Sequence, residues 1–424
     1  MEAATDYLAT ARARMHRVYT PNQILGRTQP VGCTAVEITQ RCNLDCTLCY
    51  LSENAESTRD IPLAEVLRRL AEIRATYGPG TNVQITGGDP TLRKHDELVE
   101  IVRYARAIGL RPSLFTNGIA ASRKLLTELA RVGLGDVAFH VDTTQERPGF
   151  SSELDLNRLR LEYLERARGL GLMVIFNTTV HAGNFAELPA LVEFFVAHAG
   201  ELGLVSFQLQ AATGRGTWGG RAALISLESV RGQIDAGTHR NMPWDVIRVG
   251  HPRCHSYVPT WVIGGEVFPV IDDAGLFAAF LRDLAVPAGS GATSLPELRH
   301  VPLRRALGSY GAAALARPVW FWRALKYGVR LVWQTRRAWL RGAPAVRKLS
   351  FFVHNFMDAK DLDAERTEAC SFMVMTSDGP QAMCSHNARR DEFVLKPFPV
   401  RRHDGTEYTF EPLRAKTQRS GTVL

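Results

Sequence analysis

The strongest constraint on the fold is an alternation that runs through the first half of the chain. Short β-branched or aromatic runs at Val36–Thr39, Asn82–Thr86, Pro112–Thr116, Asp136–Val141, Met173–Val180 and Val205–Gln210 are separated by longer stretches of helical period. Those stretches are Leu63–Tyr77, Lys94–Ile108, Ser122–Val132, Leu154–Leu170 and Phe185–His198, several of them ending near glycine. The repeated order of strand and helix predicts an α/β fold, with six parallel strands curved or closed as a partial (β/α)6, TIM-like barrel.

In such sheets the chemistry gathers at the carboxyl ends of the strands, where the strand-to-helix loops converge. The distinctive residues fall there. Cys42–Cys49 follows the first strand, Gly87-Gly88-Asp89-Pro90-Thr91 the second, and Thr116-Asn117-Gly118 the third. Asp142 follows the fourth, Asn177 lies in the fifth, and Gln208 and Gln210 end the sixth.

The 424 residues include seven cysteines, at 33, 42, 46, 49, 254, 370 and 384. An odd number, with no N-terminal export pattern, disfavours a disulfide framework and favours thiols as metal ligands, and the cytoplasm is the expected compartment. Cys42, Cys46 and Cys49 have three and then two residues between them. A loop after a strand can wrap three such thiolates around one face of an iron–sulfur cubane, leaving one iron open for a molecule that must bind metal directly. Spacing alone also admits a zinc site lacking a nearby fourth ligand, or chance.

Cys-x3-Cys-x2-Cys followed by Tyr50, with Gly87–Thr91 and Thr116-Asn117-Gly118, closely resembles the radical S-adenosylmethionine (SAM) superfamily. The resemblance implies a [4Fe–4S] cluster on Cys42, Cys46 and Cys49, with SAM chelating the open iron. Reductive cleavage then yields methionine and a 5′-deoxyadenosyl radical that takes hydrogen from an unactivated C–H bond. It also implies cofactor contacts at Gly87, Gly88, Asp89, Pro90, Asn117, Asp142 and Gln210, although Asp89 stands where Glu is commoner; no further catalytic residue is assigned. By themselves these residues read equally as turn and capping positions.

The second half looks like the subgroup containing the class D radical methylases and the archaeal tetraether-lipid synthases. The similar stretches are Gln208–Gly216, His251-Pro252-Arg253-Cys254, His354–Asp358, Cys370 with Ser377-Asp378-Gly379, and Cys384-Ser385-His386-Asn387. The resemblance covers most of residues 30–390 and implies one auxiliary [4Fe–4S] cluster on Cys254, Cys370 and Cys384. Cys33 is the candidate fourth ligand, or else a buried structural thiol. The subgroup carries more cysteines than this chain has. With no rubredoxin-like segment, the electrons are expected from an external reductant such as ferredoxin or flavodoxin.

The expected organisation is an N-terminal segment (1–30), the barrel (31–215), a connecting region with Cys254 (216–288), a basic Trp-rich helical segment (289–348) and an auxiliary-cluster region (349–424). The net charge of +8 suits nucleic acid, acidic headgroups or an anionic substrate alike. Its placement is more informative. No acidic residue lies between Glu297 and Asp358, and Trp320, Trp322, Trp333 and Trp339 fall inside that stretch. On a helix from Pro318, the bases at 323, 326, 330, 337 and 341 share one stripe, while Phe321, Leu325, Val332 and Trp339 tend to another face. Charge interrupts the segment too often to span a bilayer, which needs about 20 apolar residues. It suits peripheral contact with an anionic inner-membrane surface through 318–342, or a solvated basic face over an ordinary core stripe. Interleaved Arg and aromatics also suit nucleic acid, but nothing else in the chain asks for it and none is expected.

The resulting expectation is a radical SAM enzyme that functionalises an unactivated carbon of a lipid-like substrate, by C–C coupling or methylation. A peptide-modifying maturase and a non-catalytic iron–sulfur protein are the alternatives.

Overall fold

The apolar runs of the first half form parallel strands, most of them buried on both faces while Asn82–Gly87 alternates. In the computed structural model, which describes residues 6–216, 220–284, 318–340, 345–402 and 404–414, these are β1 (Cys33–Thr39), β2 (Asn82–Gly87), β3 (Arg111–Thr116), β4 (Asp136–His140), β5 (Met173–Val180) and β6 (Leu202–Leu209). After α1 (Tyr7–Arg14), the crossovers carry α2 (Leu63–Tyr77), α3 (His95–Ala107), α4 (Arg123–Arg131), α5 (Asn157–Ala167) and α6 (Leu188–Ala197). Every anticipated strand and helix forms, with ends moved by a few residues. Ser122 starts α4 because its hydroxyl accepts the Leu125 N–H at 3.2 Å.

The parallel array does not stop at six strands. β9 (Val346–Asn355) pairs parallel with β6, and β10 (Phe372–Thr376) pairs parallel with β1. Thus the residues after 345, expected as an extension, widen the barrel at both edges. β7 (His255–Ile263) and β8 (Glu266–Pro269) add an antiparallel hairpin beyond β9, and β11 (Gly379–Ala382) turns back on β10. The order is β11-β10-β1-β2-β3-β4-β5-β6-β9-β7-β8, and β12 (Phe398–Arg401) with β13 (Glu407–Phe410) forms a separate two-stranded sheet.

Side chains alternate across this sheet. Val36, Ile38, Val83, Ile85, Val137 and Phe139 belong to the main core beneath the helices. Each such fully buried aliphatic or aromatic side chain contributes roughly 1.5–3 kcal/mol. Positions of the other parity, among them Cys33, Ala138, Ile175, Leu204, Phe352 and Phe372, form a second apolar cluster that lines the concave face. Side chains also join the two ends of the array: the Phe372 ring on β10 lies 4.6 Å from His255 on β7 and 4.9 Å from His354 on β9.

Of the anticipated basic segment, residues 289–317 and 341–344, with Arg341, lie outside the described residues. The rest includes α9 (Pro318–Leu340), which follows α7 (Leu227–Thr238) and α8 (Ala274–Asp283) among the described helices. Among the described residues no helix is long and apolar enough to cross a membrane.

Candidate active site

The loop after β1 is held at its root before it reaches the cysteines. Arg41 donates from Nε and Nη2 to the Asp60 carboxylate at 3.1 and 2.6 Å and to the Leu92 carbonyl at 2.8 Å. The end of β2 crosses directly over this root, with Gly88 N–H donating to Thr39 O at 2.9 Å and Asp89 N–H to Arg41 O at 2.8 Å. That approach requires the two glycines. A Cβ at Gly87 (φ +128°) would lie 2.0 Å from the Thr39 carbonyl oxygen, and one at Gly88 2.0 Å from that of Arg41.

Asp89 is completely buried and accepts Thr91 N–H at 2.9 Å, the Thr116 hydroxyl at 2.8 Å and Asn117 N–H at 2.8 Å. Its carboxylate is thus spent on tying the β2 and β3 loops together. Asn117 then reaches the cysteine loop, donating from Nδ2 to Asn43 Oδ1 at 2.6 Å and lying 3.9 Å from Cys42 Sγ. On the other side Thr47 N–H donates to Thr144 O at 2.9 Å.

The loop after β6 closes over the third cysteine. Gly216 N–H donates to Cys49 O at 3.0 Å and Arg215 N–H to Leu51 O at 2.7 Å. Gly214 and Gly216 permit this, because a Cβ on either would fall within 2.5 Å of the backbone around Cys49 and Tyr50. The Arg215 guanidinium approaches the Cys49 thiol and pairs with Asp45 and Glu56 at 3.4 and 3.5 Å. Tyr50 donates its hydroxyl to Gly87 O at 2.6 Å, while Arg390 stacks 4.6 Å from its ring and ion-pairs with buried Glu37.

Asp142, also completely buried, accepts Thr144 N–H at 3.0 Å, Thr179 N–H at 2.7 Å and His140 Nε2 at 2.6 Å. Burial works to raise its carboxyl, but His140 and these donors outweigh burial and hold it well below the usual carboxylate range. Reciprocally, burial opposes a charge on His140 and Asp142 overcomes that, raising the imidazole.

Cys42, Cys46 and Cys49 face a cavity of about 1290 Å³. It descends the concave face from the cysteine loop to the amino-terminal rim of the strands, at Asn82, Arg111, Met173 and Val346. At about 3.3 Å per residue, that path is on the order of 20 Å. Gly87, Gly88 and Asn117 border the cavity, whereas buried Asp89, Pro90 and Asp142 and half-buried Gln210 do not line it. Of the two glutamines at the end of β6, Gln208 lines the cavity, while the Gln210 carbonyl accepts Arg221 Nε at 2.6 Å.

The other four cysteines gather where the two ends of the array meet. Cys33 starts β1, Cys370 lies two residues before its parallel neighbour β10, Cys384 follows β11, and Cys254 precedes β7. Burial and then Cys370 raise the Cys33 thiol, and burial followed by Cys370 pushes Cys384 up to about 12. Cys370 also acts on Cys254, where Arg366 Nε donates to Sγ at 3.3 Å.

Three thiols from one loop, all facing one cavity, make a donor set that a cluster can take. Among the described residues no three His, Cys, Asp or Glu side chains converge as one metal ion requires. A cubane takes each thiolate on a separate iron. Burial raises the Cys42 thiol, and burial with Cys49 raises that of Cys46, a cost that a bound cationic centre would offset.

Asn43, His140, Arg215, Arg390 and Glu37, with Arg147, which donates from Nη2 to Asn117 O at 2.6 Å, complete the surroundings and were not anticipated. Two signals pointed to some of them: His140 shares strand parity with Asp142, and Arg215 stands between glycines.

Comparison with known proteins finds one family over the first half of the chain. The family model for the radical SAM superfamily matches residues 36–195. The PqqA peptide cyclase of Bradyrhizobium diazoefficiens is 31% identical over 169 residues, covering 38% of this chain and 42% of the relative. The 7,8-dihydro-6-hydroxymethylpterin dimethyltransferase of Methanocaldococcus jannaschii is 27% identical over 186 residues, covering 42% and 36%. The chain thus spans less than half the length of these relatives. The crystal structure of Streptococcus suis SuiB bound to S-adenosylmethionine superposes with a TM-score of 0.39 at 16% identity, covering 47% of this chain and 45% of that one.

Proposed function

Because residues 36–195 belong to the radical SAM superfamily, whose members bind a [4Fe–4S] cluster and SAM, we propose that the chain functionalises an unactivated carbon of a hydrophobic, lipid-like substrate, by C–C coupling or methylation. When bound, the cluster and SAM supply one-electron cleavage to a 5′-deoxyadenosyl radical that abstracts hydrogen. The chain's residues do the rest. Cys42, Cys46 and Cys49 are the proposed ligands, and Gly87 and Gly88 border the space beside them. Asn117 and Arg215 fix the loop from either side, and Asp89 and Asp142 position the neighbouring loops from behind.

The observation that carries the substrate class is the wall of the cavity below the cysteine loop, where Ala138, Ile175, Leu204, Phe352 and Phe372 form a continuous apolar cluster. Such a wall holds an aliphatic chain and excludes water from a reactive centre. Cys254, Cys370, Cys384 and Cys33 are the proposed auxiliary ligands, and an external ferredoxin or flavodoxin is the proposed electron source.

The similarity to PqqA peptide cyclases favours a second reading, a peptide-modifying enzyme. The test is anaerobic incubation of the reconstituted, reduced protein with SAM and either a bacterial lipid extract or candidate peptides. Formation of 5′-deoxyadenosine with a lipid product is expected. A gain of one CH2 per event marks methylation, and loss of two hydrogens marks intramolecular coupling. A modified peptide with unchanged lipid supports the second reading, and no SAM cleavage at full cluster loading marks a non-catalytic iron–sulfur protein.

A further inference from the structure

Helix α9 is amphipathic, but its apolar side faces the wrong way for an ordinary surface helix. The inner side is pinned to the protein. Trp320 packs with Ala279 and donates Nε1 to Asp283 at 3.2 Å; the Tyr327 hydroxyl donates to Val270 O at 2.7 Å; Ala338 joins Ile263 and Phe268. These anchors recur at helical spacing and fix the rotation of the helix. The opposite pole carries Trp322, Val329, Trp333 and Leu340, which are 66%, 62%, 65% and 85% exposed. Beside that pole runs a band of Lys326, Arg330 and Arg337, of which Arg330 also pairs with Asp272. α9 contains no Asp or Glu.

Leaving two tryptophans and two aliphatic side chains in water on one helix face forfeits the burial that normally orients a helix. An apolar face bordered by cations and carrying tryptophan matches a headgroup layer with negative charge. The inner side adds a second observation. Trp320, Arg323 and Tyr327 line the same cavity that reaches the cysteine loop, next to Arg347 and Lys348 at the amino-terminal rim. One helix therefore has its outer pole toward solvent and its inner side on the cavity, at the end remote from the radical-forming loop.

We propose that α9 seats its outer face in the surface of an anionic bilayer and that the cavity beneath it receives an amphiphile from that bilayer. The chain enters toward the cysteine loop, and the headgroup rests among Arg323, Arg347 and Lys348. The entry route rests on the lipid-substrate reading above; the docking does not.

The two are tested separately. The reconstituted full chain is floated with vesicles of phosphatidylglycerol and phosphatidylcholine, or of phosphatidylcholine alone, without turnover. Binding is expected only with phosphatidylglycerol, weakening as salt rises, and tryptophan emission should be quenched by lipids brominated along the acyl chain. The double variant Trp322→Glu/Trp333→Glu should lower vesicle partitioning by at least about ten-fold, while substrate-independent 5′-deoxyadenosine formation and thermal stability stay unchanged. Absence of flotation with phosphatidylglycerol at low salt overturns the docking. So does a solution dimer that the same double variant splits, since the face would then bind a second copy. If docking holds but no lipid is modified, the substrate reading falls and the membrane surface stands.

Discussion

The Asp89 carboxylate accepts the backbone N–H of Asn117 at 2.8 Å, and through it the loop after β2 holds the residue that reaches Cys42. The same carboxylate serves Thr91 and Thr116. Asp89→Ala strands four donors, the backbone N–H and hydroxyl of Thr91, the Thr116 hydroxyl and the Asn117 N–H, and is expected to cost on the order of 3 kcal/mol. Asp89→Asn keeps the shape and should cost less. Denaturant midpoints of the loaded protein measure both, and an unchanged midpoint for Asp89→Ala would contradict the structural role.

Gly88→Ala should act on the cluster more than on the fold. The added methyl meets the Arg41 carbonyl at 2.0 Å, so the root of the cysteine loop must move. Reconstitution should yield a protein with near-native circular dichroism and a deficit of about four irons, one cubane's worth. Full iron loading would show that the close approach is dispensable.

The two groups of thiols should lose iron independently. Cys42→Ala is expected to leave about four irons per chain and no 5′-deoxyadenosine, whereas Cys370→Ala is expected to leave about four irons with the radical-forming cluster intact. Cys33→Ala sorts the fourth ligand from a structural thiol: loss of iron marks the first, unchanged iron the second. A total of about four irons in the unmodified protein would remove the auxiliary cluster.

The His140–Asp142 pair predicts a stability difference with a defined pH window. Asp142, held low, contributes stability above its unfolded pKa of about 4, which is lost as pH falls through the lower folded value. His140, held high, contributes below its unfolded pKa of about 6.5, which is lost as pH rises through the higher folded value. The gap between the native protein and His140→Gln should be widest from about pH 4 to 6.5 and narrow on either side. A gap that does not vary with pH would mean the pair carries no charge.

What could be read in the sequence depended on whether its cause was local. β2 and α2 announce themselves because a run such as Asn82–Thr86 is buried by alternation and Leu63–Tyr77 by helical period. The cysteine loop is legible because its three ligands span eight residues. Partner choice was not. Nothing near Val346–Asn355 says that this strand joins β6, and nothing near Phe372 says that it lies beside Cys33. Glycine carried more than its motif suggested: Gly87 and Gly88 stood out as cofactor-facing residues, while their packing over Thr39 and Arg41 appears only when both loops are in place. The stripes on α9 were visible, but periodicity does not tell which stripe faces the protein.

The placement of β9 and β10 also sets an order of events during synthesis. The edges of β1 and β6 emerge from the ribosome long before their neighbours, since Cys33 pairs in register with Phe372 and Leu204 with Ser350. Until the last part of the chain arrives, the nascent half-barrel exposes two bare strand edges and an apolar inner surface, the features that template aggregation. Such long sequence separations slow productive pairing, so chaperone dependence and recovery of active protein should be governed by how soon residues 346–376 reach the sheet.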